Sequence, residues 1–264
     1  MAPPAPPFRY SHALARKGYQ VDAVELIEHN IDVFRKNTVS GEPVTITQGN
    51  AMDLSAFGSH TYDITLLLGP MYHLFTAEDR LKAPSEAVRV AKRGGVVFAA
   101  YCMSDASILQ RGFLRGNIRK LMENSMVDPE TFETFSSPKD LFEMHRKEDI
   151  DALRGRFPVT QLHFMAADGF AYYMRETLYQ MDDETHALYL RYHFTVCERA
   201  DMIGYSNHTL DISRKDGDAP IPKQRKWRYS VMLYRRLVCH SSRPRCFTHP
   251  ERCHPACASR RAAR

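Results

Sequence analysis

The chain begins partway through a rhythm. Tyr10-Ser-His-Ala-Leu-Ala-Arg-Lys-Gly18 reads as a helix closed by a C′ glycine, and Val21-Asp-Ala-Val-Glu25 as a short buried strand. Only Met-Ala-Pro-Pro-Ala-Pro-Pro stands before Phe8-Arg9-Tyr10, so the strand and glycine-rich turn that would open such a pattern are expected to be missing. Every fold open to the chain has to cope with that gap.

The rhythm then repeats. Glu28 to Asn37 is helical, Val44-Thr-Ile-Thr-Gln48 is strand-like, and Gly49 to Leu54 is a polar loop. Tyr62-Asp-Ile-Thr-Leu-Leu-Leu68 has the apolar density of a strand covered on both faces, and it stops at Gly69-Pro70. Glu78 to Ala91 reads as a helix in which Pro84 is expected to kink the backbone or remove a hydrogen bond, at about 3 kcal/mol. Lys92-Arg-Gly-Gly95 turns the chain into Val96-Val-Phe-Ala-Ala-Tyr101. This alternation predicts an α/β fold with a doubly wound, mostly parallel sheet, incomplete at its first strand. Ligands of such sheets sit at the carboxyl ends of the strands, here the loops after Glu25, Gln48, Leu68 and Tyr101.

Residues 104–157 are more polar and helical, as a lid insertion would be, and Val159 to Ala166 returns to a strand. Asp183 to Ala200 reads as a helix and His208 to Ser213 as a last strand, which bounds the domain at residues 8–215. Residues 216–264 lose all periodicity and are expected to be a disordered tail rich in Arg and Cys.

The net charge of +5 is unevenly divided, with +11 on residues 223–264 and −6 on residues 1–222. No apolar run approaches the roughly 18 to 20 residues of a membrane span, and no signal-peptide pattern opens the chain, so a cytoplasmic protein is expected. Cys102 and Cys197, isolated in the body, agree with a reducing compartment.

Three stretches together resemble the class I S-adenosylmethionine-dependent methyltransferases, closest to bacterial members of uncharacterised substrate. They are His12 to Glu25, Gln48-Gly-Asn-Ala-Met-Asp-Leu54, and Tyr62 to Leu74 (Tyr-Asp-Ile-Thr-Leu-Leu-Leu-Gly-Pro-Met-Tyr-His-Leu) leading into Arg89-Val-Ala-Lys-Arg-Gly-Gly95. Ala166-Ala-Asp-Gly169 and Asn207-His-Thr-Leu-Asp211 also have counterparts there. The resemblance implies a Rossmann-like fold, S-adenosylmethionine as cofactor, and methyl transfer to an unidentified acceptor of small-molecule type.

By that resemblance Glu25 accepts from the ribose hydroxyls, and Asp53 from the adenine amino group, with Asn50, Ala51 and Met52 beside the ring. Glu25 also reads as an ordinary strand-end carboxylate, and Asn50 as a turn residue. Leu68, Gly69 and Pro70 would pass the methionine part of the cofactor, where a missing Cβ permits close approach. Tyr72 and His73 follow as catalytic candidates, His73 as a base, although both equally suit packing under the lid. Tyr172, Tyr173, Tyr189, Tyr192 and His193 are aromatic candidates for an acceptor pocket or for a core stripe.

The same resemblance implies that the absent element is the central strand. Losing it removes four or five buried aliphatic side chains at about 1.5 to 3 kcal/mol each and leaves neighbouring backbone unpaired. Ser230-Val-Met-Leu-Tyr-Arg-Arg-Leu-Val238 is the one spare strand-like run, and Arg235 and Arg236 make it a poor central strand. A non-catalytic remnant that binds a partner is therefore the competing reading. A nicotinamide oxidoreductase, which Glu25 would also suit, is disfavoured by the Gly-Asn-Ala-Met-Asp loop. In the tail, Cys239, Cys246, His249, Cys253, His254 and Cys257 could ligate zinc, without a paired C-x₂-C spacing, so no metal is assigned. Trp227 and Tyr229 among cations could serve nucleic-acid binding.

Overall fold

The computed structural model describes residues 9–140, 142–217 and 228–233. Strands β1 (Gln20–Glu25), β2 (Val44–Gln48), β3 (Tyr62–Leu68), β4 (Ala91–Cys102), β5 (Val159–Ala166), β6 (His208–Lys215) and β7 (Arg228–Leu233) form one sheet in the order β2-β1-β7-β3-β4-β6-β5. Only β6 runs against the others, pairing antiparallel with both β4 and β5. The helices are α1 (Arg9–Arg16), α2 (Glu28–Asn37), α3 (Ala77–Val90), α4 (Ser104–Ser107), α5 (Ile118–Glu123), α6 (Lys147–Arg154), α7 (Arg175–Gln180), α8 (Asp183–Val196) and α9 (Ala200–Ile203). A π-helical turn, Ile108–Phe113, continues α4.

The expected vacancy at the centre of the sheet is corrected by β7. Its backbone lies parallel to β1 from Gln20↔Arg228 to Glu25↔Leu233, and parallel to β3 from Ile64↔Tyr229 to Leu68↔Leu233. Both inner edges of β1 and β3 are thereby paired, which removes the cost of stranding buried peptide groups. Part of the segment read as a disordered tail is thus a central strand. Residues 234–238 of that strand-like run, and the six candidate zinc ligands beyond it, lie outside the described residues.

Helices cover both faces, as side-chain alternation requires. On one face Leu14 and Ala15 of α1 pack with Val21, Leu66 and Phe98. On the other, Ala83 and Ala87 of α3 pack with Val24, Leu67, Val97 and Ala99. Phe34 of α2 joins the first face against Ala23. The helix α3 runs uninterrupted through the buried Pro84, where a kink was one expectation. Its two ends are fixed. Thr76 caps the first turn by accepting from the Asp79 amide at 3.1 Å. At the other end the buried Lys215 donates from Nζ to the carbonyls of Val88 at 2.6 Å and Ala91 at 2.9 Å. Beyond α3, Gly95 is required by space, because a Cβ there would lie 2.9 Å from the Lys92 carbonyl oxygen.

The central slot supplies a test. Val231 stands between Ala23 of β1 and Leu66 of β3 in the ladder, and proline has no N–H to give it. V231P is expected to destabilise the protein by about 3 kcal/mol or more, read as a shift in the urea midpoint.

Candidate active site

All strands but β6 run in one direction, so their carboxyl ends share one edge, and β6 begins there. That edge gathers Glu25, the 49–53 loop, the 68–73 segment, Cys102, Asp168 and His208.

The 49–53 loop is fixed by its own polar groups. Asn50 Oδ1 accepts from the Met52 amide at 3.0 Å and the Asn50 carbonyl accepts from the Asp53 amide at 2.9 Å. Asn50 is thus the turn residue its type suggests, and it also lines a cavity. That cavity, about 130 Å³, is walled by Leu26, Ala51, Met52, Pro70, His73 and Leu74 among others. Asp53 is exposed and accepts from the Ser55 amide at 3.0 Å, a bond that lowers its pKa.

Glu25 does not open into this space. It is 1% exposed, and its Oε1 accepts from the Ile27 amide at 2.9 Å in the turn that starts α2. Burial raises its pKa, against the bonds from Ile27, Asn30 and Leu26. An acid at a helix start finds unpaired amides nearby, and these have taken the carboxylate.

After β3, Gly69 adopts φ 121°, which glycine accepts and other residues resist, and Pro70 opens a short 3-10 turn to Tyr72. The turn swings Tyr72 and His73 beneath the 104–157 segment. His73 packs on Phe142 with ring centroids 5.5 Å apart, and the Glu143 amide donates to the Tyr72 carbonyl at 2.7 Å. Burial raises the Tyr72 hydroxyl pKa, so this group stays protonated. A larger cavity of about 550 Å³ lies by α3 and α6, with Phe75, Arg80, Glu143, His145 and Arg156 in its wall. Burial pushes Glu143 up to about 7 against the Arg80 charge, and His145 down to about 4.

Two residues given no role by sequence reasoning complete the edge. Asp168 follows β5 and His208 starts β6, directly across the ladder from Cys102. Asp168 Oδ2 lies 2.9 Å from His208 Nδ1, while Asp168 Oδ1 accepts from the His208 amide at 3.1 Å and from the Ser206 hydroxyl at 2.5 Å. Ser206 is wholly buried and also accepts from the Gly169 amide at 2.9 Å. The His208 ring sits 5.6 Å from that of Tyr72. Burial works against a charged His208, but the ring's hydrogen bonds to Asp168 and Cys102 and the charges there together outweigh it and push the imidazole up to about 10. The signal available in the sequence was the pair of Asp168 and His208 inside two family-like stretches, 40 residues apart. The other aromatic candidates differ in their surroundings. Tyr192 is exposed, Tyr189 stacks on His193, Tyr172 lies under Arg175, and Tyr173 meets Phe170.

The cavity fits one half of a nucleoside sulfonium. Leu26, Met52, Pro70 and Leu74 give a flat base two apolar walls, and Asn50 and Asp79 offer polar atoms at its rim. Among the described residues no group of three His, Cys, Asp or Glu side chains could hold a metal, and no helix is long and apolar enough to cross a membrane.

The dyad makes a prediction of its own. His208 is expected to titrate well above the usual 6.5 in an NMR titration of its ring protons, and D168N to bring it back toward that value. Its raised pKa stabilises the folded chain fully below about 6.5, a contribution that fades as pH rises toward about 10. The decline in Tm across that window is expected to be smaller in H208Q.

Residues 8–99 match the family model described as a methyltransferase domain. No curated protein matches the chain. Among solved structures, an S-adenosylmethionine-dependent methyltransferase of Methanosarcina mazei is 15% identical, with 78% of this chain and 86% of that one covered at a TM-score of 0.49. The CcbJ methyltransferase of Streptomyces caelestis is 13% identical, with 77% and 78% covered at 0.48. The PH0226 protein of Pyrococcus horikoshii OT3 is 15% identical, with 78% and 76% covered at 0.46.

Proposed function

We propose that the chain is an S-adenosylmethionine-dependent methyltransferase that methylates a small-molecule acceptor at the carboxyl edge of its sheet, a reading supported by the match of residues 8–99 to a methyltransferase domain. The observation that carries this reading is the cavity between the loops after β1, β2 and β3, which has the apolar walls and polar rim that adenosine needs.

Leu26, Met52 and Leu74 would hold the adenine ring, with Asn50, Ala51 and Asp53 shaping the loop around it. Glu25 fixes the ribose side by holding the turn that carries Leu26 and Ile27. Leu68, Gly69 and Pro70 border the amino acid part, where β7 ends beside β3 in register with Leu68. When bound, the cofactor supplies an electrophilic methyl group on a sulfonium. Tyr72 and His73 stand where aromatic rings can face that positive sulfur, and the protonated Tyr72 hydroxyl is a donor toward the acceptor. Catalysis in such a site comes mostly from positioning. The insertion over residues 104–157 meets the acceptor side through Phe142 and Glu143. No part of this reading calls on a membrane, a metal or a nucleic acid.

Titration calorimetry of the full chain with S-adenosylhomocysteine tests it. Binding at about micromolar Kd is expected, corresponding to about −8 kcal/mol. G69A forces a Cβ onto a backbone at φ 121° and is expected to weaken binding about tenfold. Absence of heat from a folded sample at millimolar ligand would sink the enzyme reading.

A further inference from the structure

Asp168 and His208 are held far more firmly than a chance surface ion pair. Asp168 receives bonds from the His208 ring, the His208 amide and the Ser206 hydroxyl, and Ser206 in turn receives the Gly169 amide. The carboxylate and the ring are therefore fixed relative to each other by the ends of two adjacent strands. The pair is nevertheless open to solution, with side chains 28% and 45% exposed for Asp168 and His208. It stands beside Tyr72, on the edge where the acceptor approaches.

Chemistry follows from which ring nitrogen is used. Nδ1 faces Asp168 at 2.9 Å, and the ring also bonds the Cys102 side chain, a partner that a ligand at Nε2 would displace. The titratable groups acting on the ring are Asp168 from the loop after β5 and Cys102 from β4. Tyr72 lies against it from the segment after β3, and Tyr173 and Tyr189 stand further out around Asp168. The Cys102 thiol is a weak hydrogen-bonding group that an incoming oxygen anion outcompetes. A charged imidazole oriented by a carboxylate is a fixed N–H donor that can hold an oxygen or sulfur anion.

We propose that Asp168 and His208 form an acceptor subsite that takes an acidic O–H or S–H compound, a phenol or thiol, and holds it as its anion against the imidazolium. The acceptor's O–H or S–H bond breaks, its electron pair stays on the heteroatom, its proton leaves to solvent, and the anion accepts a hydrogen bond from the imidazolium that already stands there. His208 is the group in contact with the acceptor, and Asp168 is a positioning residue that acts through it. This inference rests on the methyltransferase reading for the word acceptor, whereas the anion site itself stands on the dyad.

The test reads the protonation state of a bound probe without any turnover. 4-Nitrophenol is titrated with the full chain about one unit below the phenol's own pKa, where the free probe is mostly neutral. The yellow phenolate band is expected to grow as the probe binds, and 4-nitroanisole, which has no proton to give, is expected to bind at least about tenfold more weakly. H208Q and D168N are each expected to abolish the phenolate band while binding S-adenosylhomocysteine as the unaltered chain does, which reports that they are folded. Binding of the neutral phenol, no binding at all, or an unchanged band in folded H208Q would overturn the subsite. Failure of S-adenosylhomocysteine binding with the phenolate band intact would instead remove the methyltransferase reading and leave the anion site standing.

Discussion

The ladder of peptide hydrogen bonds between β1, β7 and β3 is what the rest of the molecule depends on. A parallel sheet covered by helices offers its strands no water to satisfy unpaired N–H and C=O groups. The backbone of Arg228–Leu233 meets that need on both sides at once, with six partners on β1 and five on β3. The two helix layers can then close over a continuous sheet, with Leu66 and Leu67 pointing to opposite cores. The same ladder sets the height of the functional edge, because Glu25, Leu68 and Leu233 are level in register.

From that edge the site is assembled by short-range rules. Each loop spends its polar groups locally: Asn50 on Met52, Asp53 on Ser55, Glu25 on Ile27. What remains for a ligand is apolar wall, backbone and the few side chains that reach across, His73 from the 3-10 turn and Asp79 from α3. The part of the edge around His208 is built differently. Its polar groups come from strands remote in sequence, with Asp168 and His208 brought together by the antiparallel pairing of β5 and β6. Tyr72 joins them because Gly69 and Pro70 redirect the chain after β3.

Much of the fold was legible in the sequence. Strands β1 to β6 and helix α2 declare themselves through apolar runs bounded by glycine, proline and polar loops, which are local signals. The loop carrying Asn50 and the break at Gly69-Pro70 were legible for the same reason. Three features were not. The insertion of β7 was hidden because a strand's place in a sheet is a long-range choice, and a basic segment gives no local sign of it. The burial of Glu25 against the Ile27 amide was hidden too, because nothing local foretells which groups a strand-end carboxylate meets. The anchoring of α3 around Pro84 was hidden as well, because Thr76 holds one end and Lys215, from the distant β6, holds the other.

The sequence alone therefore determined the alternation of strands and helices, the edge at which ligands gather, and the residue types available there. Those follow from periodicity and turn chemistry within a few residues. The tertiary structure alone decided which segment fills the middle of the sheet and which acid faces which histidine. Both depend on pairing between residues far apart in the chain, where backbone hydrogen bonds hidden from water have to find partners wherever the fold supplies them.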